Sequence, residues 1–280
     1  MKTILACTDL SDHAHQALVR AIALAAEAQA SLKILHAASE DDGTLDETRK
    51  AIETFARGEA EAIGAAGLPI QVRVRTQDPR QAIPNEAAQC GARLIVLGGH
   101  GEPRFRDAIF GTVGTHVVRH SGIPVLIVQT DPALSYAKLL VAADTPESAR
   151  RLVECGLGIA PSAEVFTVHA YTVPLAQGLF CRDASDETAA RQGARFEAGL
   201  APVADANPRA GLTADGHVIV AEGDALTVMM DKTDELLPDL LVMGTHQGGT
   251  FVGSRGVDAM FWCPADMLIM PEPVAAPADA

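Results

Sequence analysis

The feature that most constrains the fold is that the chain can be read twice. Lys2-Thr3-Ile4-Leu5-Ala6-Cys7-Thr8-Asp9 returns as Lys138-Leu139-Leu140-Val141-Ala142-Ala143-Asp144, a short apolar run closed by an acidic residue. Such a run reads as a buried strand that meets a polar loop. A helical pattern follows each copy, from Ala14 to Ala30 and from about Ser148 to Ile159. Second strands are expected at Ser31 to Ala37 and Glu164 to Ala170, each with a histidine near its end, His36 and His169. Long helical stretches then lead to third strands at Ile70 to Arg75 and His217 to Ala221, after which Asp78 and Asp224 open helices. Fourth strands fall at Arg93 to Gly98 and Asp239 to Gly244, and fifth strands at Ile123 to Val128 and Ala265 to Met270. Apolar strands alternating with helices imply right-handed β-α-β units and parallel sheets covered on both faces.

The 280 residues thus divide into two α/β domains, 1–130 and 137–271, joined by a short linker near Asp131-Pro132. Each is close to the usual domain size of ~100–150 residues. Aromatic residues make up only 4% of the chain, so aliphatic side chains and alanine must fill both cores. The residues after Pro271 lack an apolar period and read as a tail.

The net charge of −14 bounds the partners. A surface of this sign repels nucleic-acid backbones and anionic lipid headgroups, and no basic stripe offsets it. No run approaches the ~20 apolar residues that span a bilayer. A phosphate ligand would have to be held by local backbone donors. Five cysteines without a C-x-x-C pair read as reduced, mostly buried thiols of a cytoplasmic protein.

One segment carries chemistry: Gly98-x2-Gly101-x9-Gly111-Thr112, directly after the fourth strand and at the start of a helix. Glycine lets peptide N–H groups approach a ligand without a Cβ in the way. The helix start adds unpaired N–H groups and the positive end of the macrodipole, which together bind phosphate without a lysine. Thr112 can cap that helix or bond a phosphate oxygen. Asp9 likewise reads equally well as a helix N-cap, shared with Ser11, or as a ligand contact. Arg104 and Arg106 read as solvated loop charges, and His116 and His120, at i and i+4, as a solvated helix face rather than a metal site. No G-x-S-x-G elbow and no Walker lysine accompanies the loop.

The order of elements, the acidic end of strand one, G-x2-G-x9-G-[S/T], and the Pro-Val-Leu-Ile-Val strand resemble the universal stress protein family over nearly the whole chain, twice. The resemblance implies two tandem doubly wound domains of the adenine nucleotide alpha hydrolase-like type. Each would carry a five-stranded parallel sheet in the order 3-2-1-4-5, with ATP at the crevice between strands one and four. It implies that Thr8 and Asp9 face the adenine and ribose, and that backbone around Ala37 contacts the base. Gly98, His100 and Gly101 would lie under the sugar and α-phosphate; Gly111, Thr112 and Val113 would hold the β- and γ-phosphates. Mg2+ is an optional companion. The two domains are expected to pack as an intrachain pseudo-dimer, fifth strand to fifth strand, and the chain can pair again as a homodimer.

The second copy departs from this pattern. Asp144 keeps the acidic end, but eight residues separate Gly244 from Gly253 where twelve separate Gly98 from Gly111. Gly253-Ser254 still opens a helix, so this half is expected to be empty or to take something smaller than a triphosphate. The expectation is a cytoplasmic ATP-binding stress-response regulator, with nucleotide in the first domain. Two rivals stand beside it: an enzyme of slow ATP hydrolysis or self-phosphorylation on Thr112, and a nucleotide-independent interaction scaffold.

Overall fold

The computed structural model describes residues 3–37, 45–99, 113–132, 135–172, 182–212, 214–245 and 263–271, with the side chains of 182–186 left aside. The chain forms two compact units, Met1–Leu134 and Ser135–Ala280.

In the first unit the elements run β1 (Thr3–Thr8), α1 (Asp12–Glu27), β2 (Ser31–Ala37), α2 (Leu45–Ala62), β3 (Ile70–Arg75), α3 (Pro79–Cys90), β4 (Ala92–Gly98), α4 (Val113–His120) and β5 (Val125–Val128). Their strands line up as β3-β2-β1-β4-β5, all parallel. The second unit repeats the scheme with β6 (Lys138–Ala142), α5 (Pro146–Ile159), β7 (Glu164–Tyr171), α6 (Arg182–Ala206), β8 (Val218–Glu222), α7 (Ala225–Leu236), β9 (Leu240–Thr245) and β10 (Asp266–Pro271). Its order, β8-β7-β6-β9-β10, is again 3-2-1-4-5. The fold is the doubly wound α/β architecture expected from the sequence.

Five strand starts differ from the sequence reading, β4, β9 and β10 by one residue each, at Ala92, Leu240 and Asp266. β5 begins at Val125, because Pro124 has no N–H to give the ladder; its carbonyl still accepts from Ile95 N at 3.0 Å. β8 begins at Val218, with His217 just outside, its carbonyl accepting from Thr167 N at 2.7 Å.

The strands are buried because helices cover both faces. Val125 to Val128 are fully enclosed, as are Leu5, Ala6, Ile95 and Val96. With few aromatics, close approach does the packing. Ala17, Ala21 and Ala25 lie on the buried face of α1, and Gly156 of α5 sits so near the sheet that a Cβ there would come 2.8 Å from Leu139 Cδ2. The helix starts are locally encoded: Ser11, Asp78, Thr145 and Asp224 each accept a backbone N–H from the first turn they precede. Cys7 and Cys263 are buried, whereas Cys90 and Cys155 are half-buried, so the thiols are less enclosed than expected; Cys181 lies outside the described residues. Burial pushes the Cys263 thiol up to about 11, and that of Cys7 higher still. Among the described residues no helix is long and apolar enough to cross a membrane.

One buried charge is held across three elements. Glu86 of α3, only 4% exposed, meets Lys33 of β2 at 2.9 Å and Arg75 of β3 at 3.4 Å. Burial alone would raise its carboxyl, but the hydrogen bonds and charges of Lys33 and Arg75 prevail and hold it below its ordinary value. A carboxyl lowered in the folded state contributes stability that is present above its unfolded pKa of about 4.3 and lost as pH falls through the folded one. Glu86→Gln is therefore expected to cost roughly 2–3 kcal/mol at pH 7, less than a wholly buried pair because Arg75 can turn to water. Its urea midpoint should also depend less on pH below about 4 than the wild type's; parallel midpoint curves for the two proteins would contradict the assignment.

Gly98, at the end of β4, marks a second tight contact. A Cβ there would lie 2.8 Å from the carbonyl carbon and oxygen of His13 and 2.9 Å from Ala14 N. All three are backbone atoms of α1, so no side chain can rotate away. Gly98→Ala is expected to lower stability by about 1–3 kcal/mol in chemical denaturation, and an unchanged midpoint would show that α1 does not press on the strand end.

Candidate functional site

In a doubly wound sheet the crossovers leave from the carboxyl ends of the strands, and a crevice opens where the winding reverses. In the first unit that point is β1, with β2 on one side and β4 on the other. Thr8 ends β1 and pairs with His36 of β2, and Ala37 follows at the end of β2. Gly98 ends β4. Thr8, Asp9, Ala37 and Gly98 therefore share one edge of the sheet, the edge to which the sequence reading assigned them. Val113 begins α4 and is half-buried. His100, Gly101, Gly111 and Thr112 lie outside the described residues.

The turn after β1 is built by its own side chains. Thr8 Oγ1 accepts from Leu10 N at 3.0 Å, and Asp9 Oδ1 accepts from Ser11 N at 3.0 Å and from Ser11 Oγ at 2.6 Å. The helix cap is Ser11, whose Oγ accepts from Ala14 N at 3.3 Å. Asp9 is thus freed from the capping role that the sequence left open. It is exposed, and both bonds from Ser11 fall on one of its two carboxylate oxygens. Leu10 pays for this geometry with φ at 68°, a left-handed backbone that a leucine seldom adopts, and its side chain is 44% exposed.

Beneath the turn, His36 is buried and its Nδ1 lies 2.8 Å from the Thr8 carbonyl oxygen. The second unit has the same tie, with His169 Nδ1 at 3.1 Å from Ala143 O. The sequence shows both histidines in register within the repeat, but nothing in their spacing reveals that they reach back to strand one. The turn itself is not repeated. Asp144 is followed at once by the cap Thr145, which forms a reciprocal pair with Ser148, and no residue there takes a positive φ. Gly244 is half-buried within β9, while Gly253 and Ser254 lie outside the described residues.

Among the described residues no group of three His, Cys, Asp or Glu side chains could hold an ion. His116 and His120 stack at 4.0 Å between ring centroids, and His120 Nδ1 lies 2.7 Å from the His116 carbonyl oxygen.

The site can accept hydroxyl donors at the Asp9 carboxylate, and it lies at an edge where a helix begins again at Val113. Comparison with known proteins agrees with this architecture. The model of the universal stress protein family matches residues 1–129. The universal stress protein YxiE of Bacillus subtilis is 29% identical over 144 residues, covering 45% of this chain and 97% of that protein. A universal stress protein of Thermus aquaticus, from the QAH/OAS sulfhydrylase 3'region, is 32% identical over 135 residues, covering 46% of this chain and 98% of that protein. In fold, the chain is similar to the crystal structure of a universal stress protein from Archaeoglobus fulgidus, with a TM-score of 0.67 at 19% identity across 97% of this chain and 98% of the other. The repeated strand order, the acidic turn at the switch point and the match along nearly all of the Thermus protein lead to one conclusion: this chain belongs to the universal stress protein family.

Proposed function

We propose that the first unit binds one adenine nucleotide, ATP foremost, at the carboxyl edge of its sheet between β1 and β4, and that its occupancy regulates the molecule. The observation that carries this reading is the convergence of Thr8, Asp9 and Gly98 on the switch point. The Gly98-x2-Gly101-x9-Gly111-Thr112 segment leaves from that same strand end, and α4 starts at its far end. A match to this spacing by accident is expected on the order of 0.01 times in such a chain.

The chemistry divides along the crevice. At one end, Asp9 keeps a carboxylate oxygen for ribose hydroxyls, and Ala37 offers backbone to a base. At the other, the glycines admit phosphate oxygens to peptide N–H groups, and the first turn of α4 adds its own. A chain of charge −14 gives a polyanion no long-range help, so these short contacts must hold the phosphates, with Mg2+ offsetting part of their charge. Gly98 belongs to this set by position, but its want of a Cβ is already required by α1.

Regulation suits these residues better than turnover. Asp9, the carboxylate at the switch point among the described residues, is assigned to the ribose end and not to an attacking water. The second unit, with its loop four residues shorter, is read as a partner domain that takes no triphosphate. The same reading is of a cytoplasmic protein able to pair as a homodimer.

Calorimetric titration with ATP and Mg2+ tests this. One nucleotide per chain is expected, and Gly111→Val should weaken binding about tenfold or more, because a branched Cβ blocks the approach of phosphate. Two nucleotides per chain, or an unaltered affinity in the variant, would contradict the assignment. Rapid multiple turnover of γ-labelled ATP would replace the regulator with an enzyme.

A further inference from the structure

The histidine beneath the turn has a consequence for the crevice above it. The Thr8 carbonyl can only accept a hydrogen bond, so the contact at 2.8 Å requires the proton on His36 Nδ1. His36 lies on β2, so this bond holds the carbonyl toward β2. The Thr8–Asp9 peptide is planar and trans, which places its N–H opposite its C=O. Holding the carbonyl toward β2 therefore turns the Asp9 N–H the other way, toward the β4 side, where the switch-point crevice lies. The ladder between β1 and β2 ends at the Thr8–His36 pair. Leu32 N turns to Pro69 O on the β3 side, so the alternation of this parallel ladder also faces the Thr8 carbonyl toward β2, and the His36 side chain adds a second hold on it where the ladder ends.

We propose that His36 is a positioning residue of the nucleotide crevice: its Nδ1–H fixes the peptide that carries Asp9, so that the Asp9 N–H and carboxylate face the ligand together. Three observations support this role over one of packing alone. The ring is 4% exposed, yet its Nδ1 bonds the carbonyl of the last residue of β1 rather than a charged partner. The tie recurs in the second unit, where His169 Nδ1 reaches Ala143 O, the carbonyl of the peptide that carries Asp144. The packing around the two histidines also differs: His169 is half-buried and stacks on Phe196 at 4.6 Å, so what the copies share is the bond to the carbonyl before the acidic residue.

The proposal rests on nucleotide binding by the first unit, and its test separates the two. In the full chain, His36→Asn puts an amide donor near the place of Nδ1, whereas His36→Phe keeps a ring without a donor. Two readouts are taken: the 1H–15N resonances of Asp9 to Ser11 without ligand, and the affinity for ATP with Mg2+. His36→Asn is expected to keep both, with Kd within about threefold, and His36→Phe to shift the Asp9 amide and weaken binding about tenfold or more. Unmoved Asp9 resonances and affinity in His36→Phe would overturn the proposal, as would equal damage from both variants. If the wild type binds no ATP, the nucleotide reading fails, and the resonances still decide whether the histidine holds the turn. The ring nitrogens of His36 in the wild type provide a check that needs no variant: 15N shifts are expected to show Nδ1 protonated, and a ring protonated on Nε2 alone would overturn the proposal.

Discussion

β1 has β2 on one flank and β4 on the other, so the chain winds away from it in both directions. The segments leaving β1 and β4 must therefore diverge, and the space between them is the crevice. Much else follows from packing a helix against that edge. α1 starts only three residues after β1 ends, and its first turn is pressed against the end of β4 closely enough to exclude a Cβ at Gly98. The short turn in between needs a left-handed residue at Leu10, the Thr8 hydroxyl and Asp9 carboxylate to close it, and Ser11 to begin the helix. The result is an exposed carboxylate on a peptide whose carbonyl is bonded from below by His36.

The second unit shows which of these parts both copies keep and which belong to the first alone. It repeats the strand order, the acidic residue and the histidine tie. It dispenses with the left-handed residue, because Thr145 caps α5 immediately after Asp144 and closes a box with Ser148. A turn that carries strain in one copy and none in the other shows that the shared strand order does not require the strain at Leu10. The run from Gly244 to Gly253, which follows β9, is the other departure of the second copy, shorter than its counterpart in sequence.

Much of this was legible in the sequence, for physical reasons that can be named. Runs such as Leu94-Ile95-Val96-Leu97 are apolar on both faces, as only strands beneath two layers of helices can be, so their positions were plain. Capping residues announced the helices at Asp78 and Asp224. β5 starts two residues later than its apolar run, because Pro124 contributes a carbonyl to the sheet but cannot donate. Long-range contacts were not legible. Gly98 reads from its spacing as a phosphate-loop glycine, and only the three-dimensional arrangement shows the backbone of His13 behind it. His36 reads as one more residue of a strand, and its bond spans 28 positions of sequence. Asp9 read equally well as cap or ligand until Ser11 proved to be the cap.

On the proposed reading, nucleotide binds at the edge of the first unit and not at its counterpart. Hydrogen–deuterium exchange of the full chain, with and without ATP and Mg2+, tests this most directly, because a bound ligand slows the local opening of the backbone it contacts. Slower exchange is predicted in peptides covering Thr8 to Ser11 and Gly98 to Val113, with no change around Asp144 and Gly244. Unchanged exchange in the first pair of segments, or equal slowing in the second, would contradict the account.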